Sequence, residues 1–187
     1  MATKNGKSKK KAGSAETVGF PLRAACIDMG SNAIRFIVAE FADELRYRSL
    51  VSERNPVRLG HSVFLSGVLD AQAMDLALAA LAGFRRQMKE LGVEHYRAVA
   101  TSAVRESKNG AAFIDRIDAE TGLGFEVISG SEEARLVHTA VTRVLPLGSR
   151  SWLLVDLGGG SVEVSLVDQH GAHWSESHTM GSVRLLE

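Results

Sequence analysis

The chain of 187 residues has one cysteine, three prolines and few aromatic side chains, 6% in all. A single thiol cannot form an intrachain disulfide, so no disulfide framework holds this fold together. Cys26 lies in the apolar run Ala24-Ala25-Cys26-Ile27 and reads as a small core residue, in keeping with a reducing cytoplasm. No stretch reaches the roughly 20 apolar residues of a membrane helix, and no apolar stretch resembles a signal peptide. The chain therefore reads as cytoplasmic, with no membrane partner. Formal net charge is zero, which argues against a field that would gather nucleic acid. The six histidines include no pair at the i, i+4 spacing of a helical zinc site, and no cysteine cluster accompanies them. Gly-x-x-x-x-Gly-Lys-Ser/Thr and Gly-x-Ser-x-Gly are both missing, so neither a Walker-type nucleotide loop nor a serine-nucleophile elbow is present.

What the chain does have is a hydrophobic fraction of 45%, enough for a real core, and an uneven distribution of charge. Lys4, Lys7, Lys9, Lys10 and Lys11 face only Glu16 in the first 19 residues, which lack apolar periodicity. Residues 1–21 thus read as a disordered Lys-rich tail. Order is expected from Leu22. Ala24–Asp28, Ala33–Phe41 and Leu45–Glu53 read as an antiparallel meander, followed by a loop over Asn55–Gly67. Met74, Leu78, Leu81, Phe84, Met88 and Leu91 recur at spacings of three and four, a helix from Asp70 to Leu91 with one core-facing stripe. Arg97–Thr101 reads as a strand, Ser102–Asn109 as a polar turn, Ala111–Thr121 as a helix and Gly124–Ile128 as a strand. Ser129-Gly130-Ser131-Glu132 has the spacing of a capping box and opens another helix that ends before Pro146.

A new strand then repeats the start. Ile27-Asp28-Met29-Gly30-Ser31-Asn32 matches Val155-Asp156-Leu157-Gly158-Gly159-Gly160 at an offset of 128 residues. In both, an apolar strand ends in aspartate, a glycine turn follows and an apolar strand resumes. Ala172–Thr179 offers a third strand, as Leu45–Glu53 does in the first copy. This is a duplicated α/β lobe: residues 22–149 form the first copy and 150–187 the opening strands of a second, truncated one. Trp152 and Trp174 fall in strands and read as core.

Glycine turns without Cβ atoms let backbone N–H groups approach an oxyanion. Two such turns facing across a cleft would clamp a phosphate chain. Gly30, Ser31 and Asn32 form one; Gly158, Gly159, Gly160 and Ser161 form the other. Asp28, Asp156 and Glu163 put carboxylates beside them, which suits phosphate only with a divalent cation between. Arg105, after a buried strand, suits an anion or an ion pair with Glu106 or a nearby helix. Of the two acids opening the helix after Ile128, Glu132 takes the capping position. Glu133 is then free to act as a general base, with the helix dipole expected to keep it ionised.

The ordered motifs IDMGSN with Arg35, ATSAVRE, ISGSEEAR, VDLGGGSVE and MGSVRL resemble the exopolyphosphatase and guanosine pentaphosphate phosphohydrolase family over residues 24–186. The resemblance implies a ribonuclease-H-like duplicated lobe of the sugar kinase, actin and chaperone superfamily, with members continuing through the rest of the second lobe. It implies hydrolysis of the terminal phosphate of polyphosphate or guanosine pentaphosphate with magnesium or another divalent cation. By the same resemblance Glu133 and Glu163 are catalytic, Asp156 and Glu163 metal-binding, and Arg105 and the two glycine turns phosphate-binding; Asp28, from its place at the end of the first strand, is expected at the metal as well, orienting a bound water. No specific nucleic acid is implied, and a homodimer is compatible. An ATP-dependent kinase or ATPase of the same superfamily, or a non-catalytic polyanion-binding module, are the alternative readings.

Overall fold

The computed structural model describes residues 19–186, so all but the last three residues of the Lys-rich stretch lie outside it. The first sheet has the order β3-β2-β1-β4-β5. Strands β1 (Leu22–Met29), β2 (Ile34–Phe41) and β3 (Tyr47–Asn55) form the expected antiparallel meander. Strands β4 (His95–Ala100) and β5 (Glu126–Val127) then add in parallel to β1. Parallel pairing brings the carboxyl ends of β1 and β4 to one edge of the sheet, where α/β folds place their ligand crevice.

Strand parity settles the fate of Cys26. Ala25, Ile27 and Met29 are buried, and successive side chains alternate between faces, so Cys26 and Asp28 must point the other way. Cys26 is an exposed thiol on the cleft wall, not the core residue its apolar neighbours suggest.

The core lies between that inner face and α2 (Ala71–Glu90). Asp70 caps α2 by accepting from the N–H of Ala73. Leu78, Leu81, Phe84 and Met88 are buried as their spacing requires, and Phe84 stacks on Phe36 with ring centres 4.4 Å apart. Two short helices contradict the sequence reading. Helix α1 (Gly60–Ser66) lies where a loop was expected, and α3 (Ser102–Glu106) replaces a polar turn. Neither has a side-chain cap or enough turns to show a period. Tertiary contacts hold them, such as the bond from the Gly60 N–H to the Ser31 carbonyl.

Helix α4 (Gly110–Thr121) packs beside α2 and α3 and adds Phe113 and Ile117 to the same core, and α5 (Gly130–Val144) follows β5. Helix α5 packs against the second sheet, where His138 Nε2 lies 2.9 Å from the Asp168 carbonyl oxygen. That sheet is β6 (Trp152–Leu157), β7 (Val162–Asp168) and β8 (Gly171–His178), paired in sequence order, and a 3-10 turn follows at Arg184–Leu186.

The repeat extends to irregularities. The first copy's ladder shifts register between Val38 and Ala39, and the second shifts between Leu166 and Val167, 128 residues later. The environments differ, however. Ile27, Met29 and Val38 are buried under α2, whereas their counterparts Val155, Leu157 and Leu166 are exposed. Trp152 and Trp174 are nearly half exposed, so the expectation that they are core fails: Trp174 pairs with Leu166 on the face that α5 leaves open, and Trp152, opposite buried Val167, sits at the start of the edge strand β6 with its indole N–H donating to the Leu147 carbonyl.

Candidate active site

The two glycine turns sit at the ends of β1 and β6 and share a backbone pattern. The Gly30 N–H donates to the Ala33 carbonyl at 3.1 Å, and the Gly158 N–H to the Ser161 carbonyl at 2.9 Å. The turns touch. A Cβ placed on Gly159 would lie 3.1 Å from Ser31 Cβ and 3.5 Å from the Asn32 nitrogen. Ser31 Oγ and Ser102 Oγ share a buried hydrogen bond of 2.8 Å that fastens the first turn to α3. Within the described residues, the N–H groups of Ser31, Asn32, Ala33, Gly159, Gly160 and Ser161 donate no hydrogen bond. Ser31 and Ser161 are nearly fully buried, and buried N–H groups without partners are rare in folded chains. They supply what an oxyanion needs.

Between the turns runs a cleft of about 390 Å³, within the range of small-molecule sites. Gly30, Ser31, Asn32, Gly158, Gly159 and Ser161 line it, together with Asp28, Glu133 and Asp156. The register puts Arg35 opposite Asp28 and Glu163 opposite Asp156, equivalent positions in the two copies. Arg35 Nη1 lies 3.3 Å from Asp28 Oδ2. Burial raises the pKa of Asp28; Arg35 opposes that effect and the charge of Asp156 adds to it.

Glu163 is 2% exposed, and Ser177 Oγ donates to its Oε1 at 2.7 Å. Its Oε2 is buried without a hydrogen-bond partner, and so is Oε2 of Glu133. The pKa of Glu133 is pushed up to about 7, first by burial and then by the charge of Glu163, with Asp28 and Asp156 adding and Arg105 opposing. Its position in the first turn of α5 does not keep it fully ionised at neutral pH, as the dipole argument expected. Burial and three neighbouring carboxylates outweigh a helix end.

Three residues sit differently from their expected roles. Arg105 stands behind Glu133, not on the cleft wall: its Nη1 donates to the Ile128 carbonyl at 2.8 Å and lies 3.8 Å from Glu133 Oε2. That is the alternative of an ion pair with a nearby helix. Gly160 is buried against α1 and α3. Glu132 follows half of the capping-box pattern. Ser129 Oγ accepts from its N–H, but its carboxylate turns to Arg97 and Arg135 instead of closing the box. Sequence reasoning gave no role to Arg54, Ser102 or Ser177. Arg54 lines the cleft as the cross-strand neighbour of Arg35, a relation only strand register reveals.

The model for the Ppx/GppA phosphatase family matches residues 37–187. The chain belongs to the Ppx/GppA phosphatase family. Among curated members, it is 31% identical over 172 residues to a guanosine-5'-triphosphate,3'-diphosphate pyrophosphatase of Vibrio atlanticus, covering 92% of this chain and 34% of that protein. It is 29% identical over 144 residues to exopolyphosphatase 1 of Mycobacterium bovis, covering 77% and 42%. The structure superposes on a crystal structure of an exopolyphosphatase from Cytophaga hutchinsonii with a TM-score of 0.84 and 36% identity, covering 88% of this chain and 52% of that one. A Ppx/GppA family member from Aquifex aeolicus gives 0.77 and 30%, covering 88% and 53%. The chain thus spans about a third of the first curated relatives' length. The α/β lobe and its partial repeat agree with one lobe of the ribonuclease-H-like fold of this Ppx/GppA group.

Proposed function

We propose that this chain carries the phosphate-gripping and water-activating part of a metal-dependent hydrolase of terminal phosphoanhydride bonds, acting on inorganic polyphosphate, guanosine pentaphosphate or both. One observation carries the reading. Two buried carboxylate oxygens without hydrogen-bond partners, on Glu133 and Glu163, adjoin two facing turns with unpaired N–H groups.

Phosphate and carboxylates repel, so the two can share this cleft only with a cation between them. The oxygens are hard, as magnesium prefers, and the carboxylates raise one another's affinity for positive charge. Among the described residues no group of three or more His, Cys, Asp and Glu side chains is placed to hold a metal ion by itself. That suits an ion completed by water and substrate phosphate. Asp156 and Glu163, cross-strand partners, would hold magnesium or another divalent cation together with water and substrate phosphate, and Asp28 would orient a bound water. Bound there, the ion would neutralise the terminal phosphate and polarise its oxygens.

The protein supplies the rest. N–H groups of both turns hold the phosphoryl oxygens as charge builds on them. Glu133, ionised, takes a proton from water onto its carboxylate, and a basicity near neutral pH fits that task. Arg105 steadies Glu133 from behind. The test is phosphate release from each substrate, with and without magnesium, by wild type and Glu133→Gln. Release is expected to need magnesium and to fall at least a hundredfold in the variant, with tripolyphosphate binding retained. Unchanged turnover in Glu133→Gln would overturn the assignment.

A further inference from the structure

The second glycine turn is held open from behind. Its Gly158 carbonyl accepts from the Ser182 N–H at 2.9 Å, and its Gly159 carbonyl from the N–H groups of Val183 and Arg184 at 2.9 and 3.1 Å. The Gly160 carbonyl accepts from Arg184 Nε at 2.9 Å. In a trans peptide the N–H points opposite to the C=O. Drawing three successive carbonyls toward residues 182–184 therefore turns the N–H groups of Gly159, Gly160 and Ser161 to the opposite side, where they stay unpaired.

The first turn is held in the same manner but by backbone alone. The Ser31 carbonyl accepts from the Gly60 N–H and the Asn32 carbonyl from the Arg58 N–H. Both holding segments read Val-Arg-Leu, at residues 57–59 and 183–185. The second copy differs by using a side chain for its last carbonyl. Arg184 is also anchored across to the first lobe. Its Nη2 pairs with Glu106 Oε2 at 2.5 Å, and its guanidinium lies 4.0 Å over the Phe64 ring. Phe64 is on α1 and Glu106 on α3, the two short helices that flank the first turn.

We infer that Arg184 is a positioning residue for phosphate binding: it sets the Gly160–Ser161 peptide so that the Ser161 N–H faces the bound phosphate, and it fixes the second turn relative to the first. The inference rests on the phosphate-site reading above. Arg184 itself does not line the cleft. A fork is required because one guanidinium must serve a carbonyl and a carboxylate while stacking on a ring. Lysine, a single point charge, cannot do all three.

The test is an amide-resolved NMR titration of the 187-residue chain with tripolyphosphate and magnesium. In wild type, the Asn32, Ala33, Gly159 and Ser161 amides are expected to shift. In Arg184→Ala and Arg184→Lys, affinity is expected to fall about tenfold, one hydrogen bond's worth. The Ser161 response should be lost while Asn32 still responds, and millimolar methylguanidinium should restore it in Arg184→Ala alone. Glu106→Gln keeps the fork but releases its anchor, and should show a smaller loss in the same direction; it carries the test if the Arg184 variants do not fold. Wild-type affinity and an unaltered Ser161 response in the variants would overturn the role of Arg184 and leave the phosphate site standing. No tripolyphosphate binding by wild type would overturn both.

Discussion

Glu132 and Glu133 are adjacent in the first turn of α5 and lie in opposite electrostatic worlds. Glu132 is exposed to two guanidiniums, Arg135 and then Arg97, and its pKa is lowered to about 2. Glu133 is turned into the cleft among other carboxylates, and its pKa is raised to about 7. Only the second can exchange a proton near neutral pH.

The pH dependence follows. Glu133 must be ionised to accept a proton, so kcat/KM for phosphate release should rise with pH through its pKa, about 7 in the metal-free protein and lower once a cation offsets Glu163, Asp28 and Asp156, and level off above it. Glu133→Gln should abolish that rise along with most activity. A pH–rate profile at saturating magnesium, carried from about pH 4 to 9, checks it, and a profile flat over that whole range would contradict the base assignment.

Stability carries the opposite sign. In the unfolded chain Glu133 ionises near 4.3, and in the fold near 7. Below the lower value it is protonated in both states and costs nothing. Between the two, the folded state holds more protons, so its stability falls as pH rises; above about 7 the full penalty persists. Glu133→Gln should therefore melt at nearly the wild-type temperature at pH 4 and higher than wild type at pH 8, by differential scanning calorimetry.

Magnesium should stabilise the fold by relieving repulsion among Asp28, Glu133, Asp156 and Glu163. At a hundredfold excess over its Kd, Tm is expected to rise by about 5–10 °C. A chelator should reverse the rise, and Asp156→Asn should shrink it. A Tm indifferent to magnesium would sink the proposed cation site.

Two glycines should respond in opposite ways to alanine. A Cβ on Gly181 would sit 2.2 Å from the Gly159 carbonyl carbon and oxygen, so Gly181→Ala must displace the second turn and weaken tripolyphosphate binding at least tenfold. A Cβ on Gly83, within α2, meets nothing within 4 Å, and Gly83→Ala should stabilise by about 1 kcal/mol in chemical denaturation.

Removing the ring of Phe84 tests the core. It is 1% exposed and stacked on Phe36, and Phe84→Ala should cost about 3–5 kcal/mol. A loss below 1 kcal/mol would mean that α2 does not bear on the sheet as described.

Much of this was legible in local pattern. Strand alternation, the stripe on α2, the Asp70 cap and the doubled aspartate–glycine turn are short-range features, each set by a backbone period or a turn requirement that residue types reveal directly. Helices α1 and α3 were missed because they are too short to carry a period and form only where the first turn and the sheet edge receive them. Cys26 was misplaced because an apolar neighbourhood says nothing of parity until register is known. Trp152 and Trp174 were misplaced because strand propensity tells neither which face a helix covers, which exposes Trp174, nor which strand is the sheet's edge, which exposes Trp152.

The sequence by itself determined that two copies of one aspartate–glycine turn exist, which acids accompany them, and that Glu133 lacks a capping role. Those statements need only spacing and side-chain chemistry. Tertiary structure alone decided that the turns touch, that Arg105 stands behind Glu133, that the Glu133 carboxyl has its pKa raised to about 7, and that Arg184 bridges the second turn to Glu106 and Phe64. Each depends on what residues far apart in sequence do to one another's solvation and charge. Those effects act through space over a few ångströms, and only the packed fold sets such distances.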